Sequence, residues 1–335
     1  MSTKSILGGL SALIAVLGMA LASPAHPQVQ GQGQGQAYPS KPIRFVVSFP
    51  PGGVSDRLGR LLSQHMQESW GQPVIVENRP GGSGFIASQA VASAAPDGHT
   101  LLLGNINTHA INSALHQKLP YDPVRDFAPI SLLVSVPNLL LVHPSVQVNS
   151  VQELVALARA KPGSLTYASA GSGTSTHMSA ELLKSMSGID IVHVPYKGPA
   201  PALQAVLAGE VKLYFETVAS SLQLVRAGRL KALAITSPAR STLAPEIPTV
   251  AESGMPGFDV APWFGALTRA GTPPEIVTRL NAEMVRILSL ADVRSTLAAQ
   301  GVTIIASTPE AFARYIEQEI ARWSKVVKET GARPD

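Results

Sequence analysis

The sequence predicts an α/β protein of two domains, each built on a mostly parallel sheet flanked by helices. Three observations lead there. Short runs rich in β-branched and apolar residues alternate with segments of helical periodicity, the pattern of strands joined by helical crossovers. The alternation comes in two series, each containing a strand that leads into a glycine-rich turn. About 300 residues follow the N-terminal segment, more than a single hydrophobic core commonly serves.

Lys4 precedes an apolar stretch from Ile6 to Ala22, and small residues around Ala20-Leu21-Ala22 and Ser23-Pro24-Ala25 supply a cleavage zone. Residues 1–25 therefore read as a secretory signal peptide cut somewhere within residues 22–26, which implies a periplasmic protein. A membrane anchor fits less well, because the stretch is short, holds Gly8, Gly9 and Gly18, and is not followed by basic residues. Gln28 to Gln36 alternates Gln and Gly, so residues 26–39 are expected to form a flexible linker, with folded structure starting near Tyr38. The next most apolar run, Ser131 to Val142, is interrupted by Ser135, Pro137 and Asn138. It is too broken to span a bilayer, and the mature chain is expected to be soluble.

In the first series Ile43 to Phe49 reads as a strand, followed by a helix to Trp70 whose inner face carries Leu58, Leu61, Leu62 and Met66. Val74 to Val76 is the next strand, then a helix from about Ser83 to Ala95 and a strand from His99 to Leu103. The second series has a helix from Ser150 to Lys161, whose Ser150-Val151-Gln152-Glu153 is a capping box. Strand Leu165–Ser169, helix Thr176–Met186, strand Ile191–Val194, helix Pro201–Ala208 and strands Val211–Phe215 and Leu230–Thr236 follow. The last third is helical: Thr272-Pro273-Pro274-Glu275 and Thr308-Pro309-Glu310 each place Thr as N-cap and Pro at the first helical position. After Thr308, the residues Phe312, Tyr315, Ile316, Ile320, Trp323, Val326 and Val327 form one apolar stripe, expected to pack in the core or between domains.

Composition excludes several classes of function. There is no cysteine, hence no disulfide, no thiol nucleophile and no lipid-modified cysteine. The formal net charge is +4, the basic residues are scattered, and no basic stripe is interleaved with aromatics, which argues against a nucleic-acid partner. The eight His residues lack metal-ligand spacings such as H-E-x-x-H or H-x-H, so no metal and no cofactor are expected.

Two loops carry the candidate chemistry. Phe49-Pro50-Pro51-Gly52-Gly53-Val54-Ser55-Asp56 leaves the first strand and enters a helix. Glycines there let backbone approach a ligand, and the free amides and dipole of the helix start suit an anion. Ser55 reads as the N-cap and Asp56 as an acid offsetting the dipole. Ser169-Ala170-Gly171-Ser172-Gly173-Thr174-Ser175-Thr176-His177 repeats the arrangement in the second series, with hydroxyls added. One anion cradle per domain points to a ligand in the cleft between them.

Enzyme motifs come near and fail. Gly81-Gly82-Ser83-Gly84-Phe85 lacks the closing glycine of a nucleophile elbow. Gly82-Ser83-Gly84-Phe85-Ile86-Ala87 matches a dinucleotide fingerprint only formally: it follows the second strand, and no acid ends the next one. His177 and His193 read as packed or wall residues. The rival reading is an exported serine-type hydrolase using Ser172 or Ser175 with His177, but no orienting acid stands beside them in the sequence pattern.

At these loops the sequence resembles the Bug (TctC-type) family, the extracytoplasmic receptors of tripartite tricarboxylate transporters. The matching segments run through the mature chain: Phe49-Pro50-Pro51-Gly52-Gly53, Glu77-Asn78-Arg79-Pro80-Gly81-Gly82, Pro96-Asp97-Gly98-His99-Thr100-Leu101, Tyr121-Asp122-Pro123, Tyr167-Ala168-Ser169, Val194-Pro195-Tyr196-Lys197-Gly198, Ile247-Pro248-Thr249-Val250-Ala251-Glu252 and Trp263-Phe264-Gly265. The resemblance implies a type II periplasmic-binding-protein-like fold, monomeric, capturing a small organic carboxylate for membrane permease subunits or a sensor protein, without catalysis. It implies one grip at Pro51, Gly52, Gly53 and Ser55. The other would be Ser172, Gly173, Thr174 and Ser175, with His177 beside them, and Phe49, Asn105, Tyr196, Lys197 and Glu216 would line the cleft. The expected domains are 40–140 plus 262–335 and 141–261, joined where Asn138–His143 and Asp259–Thr268 cross. One departure stands out: where family members often carry Asp and a Phe-Asp-Asn run, this chain has Lys212 and Phe215-Glu216-Thr217.

Overall fold

The computed structural model describes residues 38–333. The expected signal peptide, and residues 26–37 of the expected linker, lie outside the described residues. The ring of Tyr38 is buried edge-on against Trp70 and His99, and its hydroxyl donates to the Gly98 carbonyl at 2.6 Å.

The chain runs β1 (Ile43–Val47), α1 (Val54–Trp70), β2 (Val74–Asn78), α2 (Phe85–Ala92), β3 (Thr100–Asn105), α3 (Asn112–Leu115), β4 (Phe127–Ser135), β5 (Asn138–Val142), α4 (Val151–Ala160), β6 (Thr166–Ser169) and α5 (Ser175–Ser187). It continues with β7 (Val192–Pro195), α6 (Pro199–Leu207), β8 (Leu213–Thr217), α7 (Val218–Arg226), β9 (Lys231–Ile235), β10 (Trp263–Arg269), α8 (Pro274–Ser289), α9 (Ala291–Ala299), β11 (Thr303–Ile304) and α10 (Pro309–Thr330). Two sheets result, ordered β11-β4-β10-β3-β1-β2 and β7-β6-β8-β5-β9.

Each sheet is parallel within its βαβαβ unit and antiparallel where other strands are added. β1 pairs in parallel with β2 and β3, and β6 with β7 and β8. β10 lies antiparallel between β3 and β4, and β5 antiparallel between β8 and β9. The sheets are thus more mixed than a mostly parallel pattern implies, because the strands flanking the two connections between the sheets enter against the direction of the crossover units. Those connections touch: Val136 N–H in the first donates to the Pro262 carbonyl in the second at 2.7 Å.

Local signals explain most boundaries. Ser150 Oγ accepts Glu153 N–H at 3.1 Å while the Glu153 carboxylate accepts Asn149 N–H at 2.7 Å, closing the capping box one residue early. Thr308 caps α10 by accepting Ala311 N–H at 3.2 Å. Thr272 does not cap α8. Pro273 holds that position, and Thr272 Oγ1 turns back to the Arg269 carbonyl at 2.7 Å, closing the turn after β10. Two helical stretches escape the sequence pattern, α7 and the segment formed by a wide π-type turn at Asn107–Ile111 running into α3.

The stripe on α10 is core, as its spacing implies: Phe312, Ile316, Trp323 and Val326 are buried, and Tyr315, Ile320 and Val327 pack beside them. Burial of each such large side chain contributes about 1.5 to 3 kcal/mol. The helix can come this close because Gly265 faces it; a Cβ there would stand 2.1 Å from Phe312 Cζ.

Candidate functional site

Both βαβαβ units have the same order, second strand, first strand, third strand (β2-β1-β3 and β7-β6-β8). The carboxyl ends of β1, β2 and β3 therefore lie side by side, as do those of β6, β7 and β8. In open α/β sheets that edge, where the winding reverses, is where ligands bind. Both glycine-rich loops leave from it.

In the first loop α1 begins at Val54, and its N-cap is Gly53 (φ −77°, ψ 176°) rather than Ser55, which is buried inside the first turn. The first helical bond is Arg57 N–H to the Gly53 carbonyl at 3.1 Å, so the amides of Val54, Ser55 and Asp56 have no acceptor within the helix. Gly52 is in the left-handed region at φ +91°, and beyond Gly52 and Gly53 there is open space where a side chain would stand. Asp56 organises the loop from below: its carboxylate accepts Gly52 N–H at 3.0 Å, Arg60 Nε at 3.0 Å and Asn78 Nδ2 at 3.0 Å. The bond from Arg60 leads in holding its pKa below the usual carboxylate value. Asn78 Nδ2 also donates to the Phe49 carbonyl at 3.0 Å, and Arg57 Nη1 to the Gly52 carbonyl at 2.6 Å. Phe49 itself is 37% exposed and Pro51 is exposed.

The second loop is tied by its own hydroxyls. Thr174 is the N-cap of α5, but its Oγ1 donates to the Gly171 carbonyl at 2.6 Å and pairs with Thr176 Oγ1 at 3.0 Å. Thr176 Oγ1 accepts Ala170 N–H at 2.9 Å, and Ser169 Oγ accepts Gly171 N–H at 3.1 Å. Met178 N–H to the Thr174 carbonyl, 3.0 Å, is the first helical bond, so the amides of Ser175, Thr176 and His177 lack an acceptor within the helix. Gly173 lies at φ +75° with a virtual Cβ 2.8 Å from Leu115 Cδ1. The loop of the second unit therefore rests on α3, which follows the third strand of the first.

His177 is buried, its ring stacked on His193 (centroids 4.1 Å) and more distantly on Tyr167. Its Nδ1 accepts Gly173 N–H at 3.0 Å, and Nε2 lies 3.9 Å from Glu181 Oε1. An acid does stand near this histidine, contrary to the sequence pattern. It faces Nε2, while Nδ1 accepts the Gly173 amide hydrogen.

The strand-end residues divide. Asn105 is buried and used internally: Nδ2 donates to Ser48 Oγ at 3.0 Å, and Oδ1 accepts Asn107 N–H at 2.9 Å, capping the turn that leads to α3. Tyr196 is half-buried and donates its amide to the Ser169 carbonyl at 3.0 Å; Lys197 is exposed. Glu216 is 6% exposed, accepts Thr217 N–H at 2.8 Å and Thr217 Oγ1 at 3.1 Å, and burial raises its pKa. Asn78, Arg57 and Thr176, which brace the loops, do not figure among the sequence-predicted residues. Asn78 belongs to the matching segment Glu77-Asn78-Arg79 and could have been read from it.

The model of the tripartite tricarboxylate transporter family receptor matches residues 58–332. The chain belongs to that family. BugT of Bordetella pertussis is 38% identical over 325 residues, covering 97% of this chain and 99% of BugT, and so spans the first loop as well. Among solved structures, an R. palustris protein with adipate superposes at TM-score 0.81 with 38% identity, covering 89% of this chain and all of that one. MatC from Rhodopseudomonas palustris with bound malate gives 0.77 at 36% identity, covering 87% of this chain and all of MatC. The periplasmic binding protein BugD gives 0.77 at 30% identity, covering 89% of this chain and all of BugD. The two-sheet architecture is therefore the type II periplasmic-binding-protein fold, and these relatives are binding proteins. Among the described residues no helix is long and apolar enough to cross a membrane, and no cluster of His, Asp and Glu could hold a metal ion.

Proposed function

We propose that this chain is a periplasmic receptor, exported by residues 1–25, that captures a small organic carboxylate between two lobes and presents it to membrane permease subunits or a sensor. The lobes are 40–140 plus 262–335 and 141–261, hinged at the two touching connections, and the receptor acts as a monomer without turnover. One observation carries the reading: two units of identical strand order each present, at the end of their first strand, a glycine-containing helix start whose first amides have no acceptor within the helix. Such a pair suits a carboxylate approached from both sides. The adipate and malate of two relatives support the ligand class.

In this reading Pro51, Gly52, Gly53 and Ser55 form one grip and Ser172, Gly173, Thr174 and Ser175 the other. His177 stiffens the second grip by fixing the Gly173 amide. The hinge lets the lobes close. The test is a calorimetric titration of adipate, malate and their neutral diamides, with ester and amide substrates incubated in parallel. The acids should bind at least about tenfold more tightly than the diamides, as hydrogen bonds to charged groups imply. Turnover of a substrate, or equal binding of acid and amide, would defeat the proposal.

A further inference from the structure

The identical winding of the two units makes their residues comparable position by position. Ser48 follows β1 and Asn105 ends β3 in the first unit; Ser169 ends β6 and Glu216 stands near the end of β8 in the second. Each pair flanks the point where the winding reverses, the crevice in which such folds hold ligands. In the first unit the crevice is tied shut by Asn105 Nδ2 donating to Ser48 Oγ at 3.0 Å. In the second, Ser169 Oγ turns the other way, to His193 Nε2 at 2.6 Å and to the Gly171 amide at 3.1 Å, and a carboxylate takes the place of the amide side chain.

We propose that Glu216 makes the site selective for carboxylates that carry a hydrogen-bond donor, a hydroxyl or an ammonium, beside the carboxyl group held by the second loop. This rests on the carboxylate-capture reading above and narrows it. Glu216 lies at the start of α7 beside the second loop, since β8 and β6 are neighbouring parallel strands. An ionised carboxylate has only acceptor oxygens, with about four lone-pair sites. Thr217 supplies two donors to Oε1, and Tyr214, on the same face of β8, lies beside it. Among the described residues no Lys, Arg or His nitrogen lies within ion-pair distance of Glu216, although it is 6% exposed. A ligand carboxylate brought beside it with no donor between would set two anions together in a desolvated place, which is costly. A hydroxyl or ammonium on the adjacent ligand carbon fills the remaining acceptor sites and separates the charges; the ammonium also neutralises one of them. Burial, which already disfavours the ionised form of Glu216, makes such a donor worth more.

The experiment is a calorimetric titration of the full chain with a matched set of four-carbon acids: succinate without a donor, malate with a hydroxyl, aspartate with an ammonium. Wild type should bind malate or aspartate at least about tenfold more tightly than succinate, the discrimination a hydrogen bond to a charged group supplies. In Glu216→Gln the Thr217 bonds keep their acceptor while the charge is lost, so succinate affinity should hold or rise and the aspartate advantage should fall about tenfold. The two donors are told apart by the variant, because losing the charge weakens an ammonium contact more than a hydroxyl contact. Equal or weaker binding of both donor-bearing acids by wild type overturns the inference on its own, even if the variant fails to fold. So does an unchanged ranking in a folded Glu216→Gln. Absence of binding by all three acids together with the adipate of the earlier titration overturns the capture reading, and this inference with it.

Discussion

The carboxylate of Asp56 accepts the amide hydrogen of Gly52 at 3.0 Å, so the first glycine-rich loop is held in shape by an acid of its own chain. The same carboxylate takes bonds from Arg60 and Asn78, and Asn78 in turn reaches the Phe49 carbonyl. Loop, helix and second strand are thus locked around one side chain that is itself buried.

Asp56→Ala should therefore weaken ligand binding without removing a ligand contact, and should cost about 1.5 to 3 kcal/mol of stability, the range for losing hydrogen bonds to a charged group. Its pH signature follows from the sign of the shift. Asp56 is more acidic folded than unfolded, so its contribution is present above the ordinary carboxylate pKa and is lost as pH falls through the lowered folded value. Urea unfolding at pH 7 and in the acid range should find the gap between wild type and Asp56→Ala largest at pH 7. A gap that does not shrink in acid would remove the charge from the explanation.

The two cradle glycines should respond differently to the same substitution. Gly53 has φ −77° and open space beyond it, so Gly53→Val should fold with an unchanged melting temperature and lose ligand affinity. Gly173 has φ +75° and sits against Leu115. There a valine adds backbone strain of about 1 to 3 kcal/mol as well as a clash, so Gly173→Val should lower the melting temperature too. Calorimetry and thermal unfolding of both variants check this; full affinity in folded Gly53→Val would defeat the role given to the first loop.

How much of this is legible in the sequence depends on how local the cause is. β1, α1, the capped starts of α4 and α10, and both glycine-rich loops follow from alternation, caps and turn residues lying next to one another. α7 and the Asn107–Leu115 segment do not, since the latter is mostly buried and its turn is capped by Asn105, leaving no amphipathic period to read. Ser55 reads as a cap by composition, but the cap falls two residues earlier because Gly53 takes the extended conformation. The bracing of Gly52 by Asp56 and of Asp56 and Phe49 by Asn78, and the near contact of His177 with Glu181, join residues across strands or helix turns, and only the folded chain brings them together.

His109 predicts a second pH effect. Its ring is fully buried against Phe127, Nδ1 pairs with Thr108 Oγ1 at 2.8 Å, and Nε2 has no hydrogen-bond partner among the described residues. Burial pushes its pKa down to about 3, so it is neutral when folded, whereas the unfolded chain takes up a proton near pH 6.5. The unfolded state then binds more protons between about pH 6.5 and about 3, and stability falls by up to about 1.4 kcal/mol per pH unit across that window. His109→Gln removes this component. The stability advantage of wild type over His109→Gln should shrink by about 1 kcal/mol or more between pH 7.5 and pH 5.5, measured by urea unfolding; a constant difference would place the proton elsewhere.

The last prediction concerns motion, and it follows from siting one grip on each side of the two touching connections. A ligand that engages both grips binds the closed form more tightly than the open one, and it can shift the hinge equilibrium only by that difference. Saturating adipate or malate should therefore reduce the radius of gyration in X-ray scattering and raise the melting temperature, since ligand binds the folded state. Ser172→Ala combined with Thr174→Ala removes the hydroxyl that holds the Gly171 carbonyl at 2.6 Å and leaves the first grip intact. That variant should lose affinity and compaction together, because the remaining grip gives the ligand little preference between the two forms. Tight binding to wild type with an unchanged scattering curve would mean that the site lies within one lobe or that the free protein is already closed. The clamp described here would then be wrong, even though the carboxylate still binds.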